Sequence, residues 1–279
     1  MSDATPRELW GHFEPLHAVT YFAPETAAAF EEVGLRGFWR TYFAGRAAPL
    51  GAVGPEVVQA AFYGFAPAMV RRAFPDVWER AAPSVALDAR RAGAGRALRR
   101  LAPEAAWGEV ADVLQRALAG AEVAGRVLGA ATAALPVPGD DVERAWHAAT
   151  ALRELRGDAH VAALLAYGVG PCESLVLRAR ADVPRERSQP VRGWTDEEWE
   201  AAAEALRERG LVDGEGVTTG EGMALREAIE RATDAAAAAP WAAFGDGEIE
   251  AAKATLKPVA LACLAEVPPQ LPIALPRIA

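Results

Sequence analysis

Between Trp146 and Thr233 the chain carries an order of elements that few arrangements satisfy. Two short helical stretches lead to a longer one ending in RERGLV, then a tiny hairpin and a further helix. Thr195 precedes Asp196 with Glu198 three residues on, so hydroxyl and carboxylate can each satisfy a free backbone N–H at a helix start. Gly210 ends that helix, LVDGEGVTT reads as a minimal hairpin, and Gly220 leads into the next helix, expected to reach Ala238. Upstream, Asp140 or Asp141 caps a helix predicted over 142–156. Gly157 then ends it, and Asp158 caps another over 159–167. Pro171 begins a third, to about Arg180, and ADVPRERSQPVRG reads as a mobile, mildly basic linker. A last helix over 249–264 precedes the proline-rich tail VPPQLPIALPRIA, expected to lie along another surface.

The first half reads as short helices punctuated by proline. Residues 6–22 are expected in two pieces, with Pro15 in the first turn of the second, followed by a helix from Pro24 to Val33. FWRTYFAGR is an aromatic helix, and in PEVVQAAFYGF the residues Val57, Val58, Ala61, Phe62 and Phe65 share one side. From Val85 to Leu101 arginines dominate (Arg90, Arg91, Arg96, Arg99, Arg100). They read as a solvated face balancing nearby acids or as an anion contact. Pro103 opens what reads as the longest helix, to Leu135. Ala117, Ala121, Ala124, Gly125, Leu128 and Gly129 run along one side of it, suiting close helix packing or a homodimer contact. PVPGDD is a clear break. It divides the chain into an aromatic-rich helical unit, 1–138, and a second unit, 139–279.

LRERGLVDGEGVTTGEGMALREAIERATD resembles the recognition helix, wing and following helix of MarR-type regulators, with Leu206, Arg209, Gly210, Leu211, Val212, Thr219 and Gly222 in comparable places. LHAVTYFAPE, FWRTYFAGRAAPLG, WHAATALRELRGDAHVAAL and RGWTDEEW resemble a family of actinobacterial proteins described only as helix-turn-helix. The arginine-rich, lysine-poor, alanine-rich text fits such a high-GC source. The expected fold is all-α: a helical N-terminal domain followed by a winged helix-turn-helix-like domain with a minimal β-hairpin.

A helix that lies in the major groove needs cations to displace counterions from phosphates. Between Thr195 and Arg209 there are six acids against two arginines, and LVDGEGVTT has no basic residue. The whole chain carries a net charge of −9 with a pI near 5.1. DNA binding through this acidic recognition helix is therefore disfavoured, and Arg185, Arg187 and Arg192 compensate only in part. Two cysteines far apart, Cys172 and Cys263, fit a reducing compartment. No secretory signal or membrane span is read, so a cytoplasmic protein is expected.

Four histidines offer chemistry: His12, His17, His147 and His160. On the helix from Val142, Glu143, His147, Thr150 and Glu154 form a polar stripe opposite Ala145, Ala149 and Leu152. The stripe reads as the wet side of an amphipathic helix, or as a metal-chelating pair. In RGDAH, Asp158 could orient His160. No cofactor is predicted, although a metal or haem held through His17, His147 or His160 remains open. Cys172, behind Pro171, is either a buried thiol or one with a lowered pKa. The favoured function is binding of a small apolar or aromatic molecule near the junction of the two units. Phe13, His17, Tyr21, Phe22, Phe38, Trp39, Tyr42, Phe62 and His160 would line the site, and the output would be regulation or sequestration. Two alternatives stand beside it: a histidine-dependent metal or haem enzyme, and a DNA-binding transcriptional regulator.

Overall fold

The structure, a computed structural model, describes residues 5–268 and residue 278. The first half comprises α1 (Thr5–Phe22), α2 (Pro24–Glu32), α3 (Phe38–Ala47), α4 (Pro55–Phe62), α5 (Pro67–Ala73), α6 (Asp76–Arg80), α7 (Pro83–Leu101), α8 (Trp107–Ala119) and α9 (Val127–Ala133). The second comprises α10 (Asp141–Ala166), α11 (Pro171–Val176), α12 (Arg185–Arg192), α13 (Asp196–Glu208), α14 (Gly220–Ala236) and α15 (Asp246–Leu264). The fold is all-α. Among the described residues the β pairing is one antiparallel bridge, Val212 to Thr218. Proline opens α2, α4, α5, α7 and α11, where its missing N–H leaves no intrahelical bond unmade.

Helix α10 is the axis. It packs against α1, α7, α8, α9 and α14, so it has protein on nearly every side. The two helices expected over 142–167 are this single helix of 26 residues. An interior glycine costs only about 1 kcal/mol, which packing on five neighbours outweighs at Gly157. Asp158 is not a cap of its own helix. Its carboxylate reaches across to accept the Gly129 N–H at 2.8 Å, in the first turn of α9. The expected long helix over 103–135 is instead α8 and α9. A turn at Gly120 and Gly125, the latter at φ +74°, separates them. Of its small-residue side, Ala117 and Leu128 are buried within the chain, and a Cβ on Gly129 would stand 2.7 Å from the Leu155 Cα.

Helix α1 runs unbroken through Pro15, contrary to the expected two pieces. The carbonyl that Pro15 cannot bond belongs to Gly11, and contacts with α10 and α15 hold the helix on both sides. The expected linker is largely α12, and the helix expected to reach Arg180 stops at Val176. Thr195 and Glu198 do form the reciprocal cap of α13, at 3.2 and 2.9 Å. The proline-rich tail lies outside the described residues over 269–277 and at residue 279, while Ile278 packs against the first core.

Three apolar clusters hold the molecule. One joins α1, α7, α8, α10 and α15 through Leu9, Leu98, Leu114, Trp146 and Leu256. The second gathers Phe30, Phe43, Phe62, Phe65 and Phe74. The third lies under α11, α13 and α14, around Leu175, Trp199, Leu206 and Ile229.

Candidate functional site

Because α10 is surrounded, its polar stripe is buried rather than wet. His147, Thr150 and Glu154 are 3, 1 and 1% exposed. Each therefore needs a protein partner. Glu154 receives two N–H groups of Arg46, both at 2.9 Å, and one from Arg153 at 2.8 Å. Arg153 also reaches Glu14 at 3.3 Å, which accepts from Trp10 Nε1 at 2.8 Å. Burial alone would push the Glu154 carboxyl up, but Arg153 and Arg46 outweigh it and hold it well below the usual range. Glu14, with less compensation against its burial, is raised.

Beside this network, at the junction of the two halves, lies a hollow of about 520 Å³. One wall comes from α1, α3 and α4 (Trp10, Glu14, Tyr42, Arg46, Phe62), the other from α10 and α14 (Arg153, Arg156, His160, Ile229, Glu230). Tyr63 closes one end at the unusual φ of 21°, with its hydroxyl donating to the Val169 carbonyl at 2.7 Å. The segment following α4 is tied twice more to the second half. Trp194 Nε1 donates to the Gly64 carbonyl at 3.0 Å, and the Ala66 N–H donates to the Arg192 carbonyl at 2.8 Å.

Of the residues expected to line a site, Tyr42, Phe62 and His160 face this hollow. His17 and Tyr21 lie behind Tyr42, whose ring centre is 4.8 Å from that of Tyr21. Burial raises the Tyr21 pKa, so its hydroxyl keeps its proton and donates to His17 Nε2 at 3.1 Å. Nδ1–H of His17 then donates to Thr150 Oγ1 at 3.2 Å. Phe22 stacks on the exposed Phe38 at 6.0 Å, and Trp39 packs edge-on to Phe65 at 5.9 Å. Phe13 is elsewhere, stacked on Trp241 in the first cluster at 6.4 Å. Sequence reading missed Trp10, Arg46, Arg153 and Arg156. The one signal was spacing: Trp10 and Glu14 stand four apart on α1, Tyr42 and Arg46 four apart on α3, and Arg153 and Arg156 three apart on α10.

The histidines do not converge. His147 and His160, thirteen residues apart on one helix, stand roughly 20 Å apart along its axis. Among the described residues no group of three His, Cys, Asp or Glu is arranged to hold a metal. His147 Nε2 donates to the Thr132 carbonyl at 3.3 Å. Cys172 is no activated thiol, because burial pushes it up to about 12. Three arginines of α7 are matched by acids, Arg91 with Asp88, Arg99 with Asp140 and Arg100 with Glu25 and Glu266, while Arg96 donates to the Glu25 carbonyl at 3.4 Å. Arg90 is buried instead, donating to the Gly45 carbonyl at 3.1 Å beneath Trp146.

Burial lowers the pKa of His17 strongly and that of His147 as well. Below about pH 6.5 the unfolded chain takes up protons that these two folded imidazoles refuse, so stability falls with pH. Each removes about 1.4 kcal/mol per pH unit below that point. Urea unfolding at pH 7.5 and 5.5 will show the loss, and His17→Asn will make it shallower. Equal stability at both pH values would contradict the assignment.

On α13 the residues Asp196, Glu197, Glu198, Glu200, Glu204 and Glu208 are exposed. Its Arg207 is engaged by Glu204 and Glu200, and Arg185 of α12 by Asp196 and Glu200. Among the described residues no helix is long and apolar enough to cross a membrane. No curated protein and no solved structure matches the chain. A model described as a helix-turn-helix family matches residues 6–269, and the chain belongs to that family.

Proposed function

We propose that the chain is a small-molecule-binding helix-turn-helix protein of MarR-like plan. Its ligand sits in the hollow between the two halves, and the output is regulation or sequestration. The observation that carries this reading is the hollow itself. Its volume of about 520 Å³ is that of a ligand site, and aromatic rings and a few convergent polar groups line it. Its walls belong to both halves, so an occupant touches the helix-turn-helix elements directly. Native mass spectrometry of the purified chain should find a bound small molecule. Ala61→Trp, which fills the hollow from α4, should lose it without unfolding the protein. An empty wild-type chain that also binds no aromatic compound in a fluorescence screen would sink this reading.

Family membership favours a second reading, contact with DNA, and α11, α13, the 212–218 turn and α14 supply a winged-helix order for it. The acidic outer face of α13 speaks against groove entry by that helix. A gel shift at low and at physiological salt separates the two: retardation abolished by Arg187→Glu, yet unaffected by Glu204→Ala, would indicate DNA held by a surface other than α13.

A further inference from the structure

We propose that the Met223 thioether, in the first turn of α14, is a site of reversible oxidation by hydroperoxides, and that Arg226 holds the sulfoxide so formed. Burial confines sulfur chemistry to that position. Among the described residues Met69, Cys172 and Cys263 are buried, while Met223 is 47% exposed. Burial also pushes both thiols up to about 12, so neither offers a thiolate that would compete for an electrophilic oxygen.

A neighbour three residues on sets Met223 apart from an ordinary exposed methionine. Arg226 Nη1 donates to Met223 Sδ at 3.5 Å, and Nη2 of the same guanidinium donates to Asp182 at 2.9 Å. Asp182 in turn accepts from Arg178 at 3.1 Å. Arg226 is therefore anchored from outside α14, with one N–H aimed at a thioether, a weak acceptor. In the reaction a sulfur lone pair attacks one peroxide oxygen, so an S–O bond forms and the O–O bond breaks. The departing oxygen takes up the proton of the transferred one and leaves as water or alcohol, and sulfur is oxidised by two electrons. Oxygen added on the side facing Arg226 meets its N–H, and a weak contact becomes a charge-assisted hydrogen bond. The opposite epimer turns its oxygen away and gains no such bond. Oxidation thus tightens the tie from α14 through Arg226 to Asp182, in the segment between α11 and α12. Met223, Arg226, Asp182 and Arg178 all line the hollow, whose wall becomes more polar, yet the chemistry needs no occupant there.

The full chain treated with hydrogen peroxide and digested tests this. Peptide mass spectrometry should find one added oxygen on Met223 while Met69 and both cysteines are unchanged. Two methionine sulfoxide reductases, each specific for one epimer, then read the stereochemistry. One epimer should exceed the other about tenfold, equivalent to about 1.4 kcal/mol. In Arg226→Gln the two epimers should form in near-equal amounts. The oxidised wild type should unfold at the same temperature as the reduced chain or higher, and oxidised Arg226→Gln below its reduced form. Oxidation of Met69 as fast as Met223, an even mixture of epimers in the wild type, or a bias unchanged in Arg226→Gln overturns the proposal. None of these results touches the cavity reading, which the bound small molecule decides.

Discussion

Glu154→Gln will destabilise the protein by roughly 3–5 kcal/mol, because it strips two buried guanidiniums of their shared carboxylate. Arg46 loses its bidentate partner and Arg153 keeps only the 3.3 Å contact with Glu14. Urea denaturation at pH 7.5 measures the loss. A second substitution isolates the cause: adding Arg46→Met removes the stranded charge, and the double variant should recover most of the stability. A loss under about 1 kcal/mol for Glu154→Gln would mean that the arginines are solvated from the hollow and the network is decorative.

Gly222→Ala will cost roughly 2–3 kcal/mol by overpacking, although alanine is the better helix former by about 1 kcal/mol. A Cβ at that position would stand 2.2 Å from the Leu211 carbonyl oxygen and 2.7 Å from Thr218 Cγ2. The backbone of α14 therefore lies directly on the turn that follows α13. The Thr219 N–H bonds the same Leu211 carbonyl at 3.1 Å, so that oxygen cannot retreat freely. Thermal unfolding, with limited proteolysis of the 212–218 turn, reports the effect. A variant as stable as the parent, or more so, would show that the turn and α14 separate without penalty.

Local chemistry in the sequence was legible where one element decides its own ends. The Thr195–Glu198 cap, the glycine stop at Gly210, the proline starts of α2, α4 and α11, and the all-α class all follow from backbone bonding alone. Beside the misjudged breaks in α1, α8–α9 and α12, several errors fall on α10, where the misread polar stripe has one physical cause. Periodicity assigns a polar stripe to water, but a helix with protein on both faces has no water side. Glu154, His147 and Thr150 were therefore read as solvated. Gly157 was read as a stop and Asp158 as a cap, since only tertiary partners such as Gly129 could say otherwise. The aromatic set was scattered for the same reason. Tyr42 and Phe62 reach the hollow, but its charged wall comes from α1, α10 and a segment that read as a linker.

Helix α10, some 39 Å of continuous rod at 1.5 Å per residue, starts in the first core and ends under α11 and α13 in the third. Among the described residues it is the one element that reaches from the first core to the third without a break. Off the rod, the two halves are also joined by three hydrogen bonds that tie Tyr63 and the segment behind α4 to Val169, Arg192 and Trp194. Cutting that seam would leave α12 and α13 held to the rest of the molecule by the third core alone.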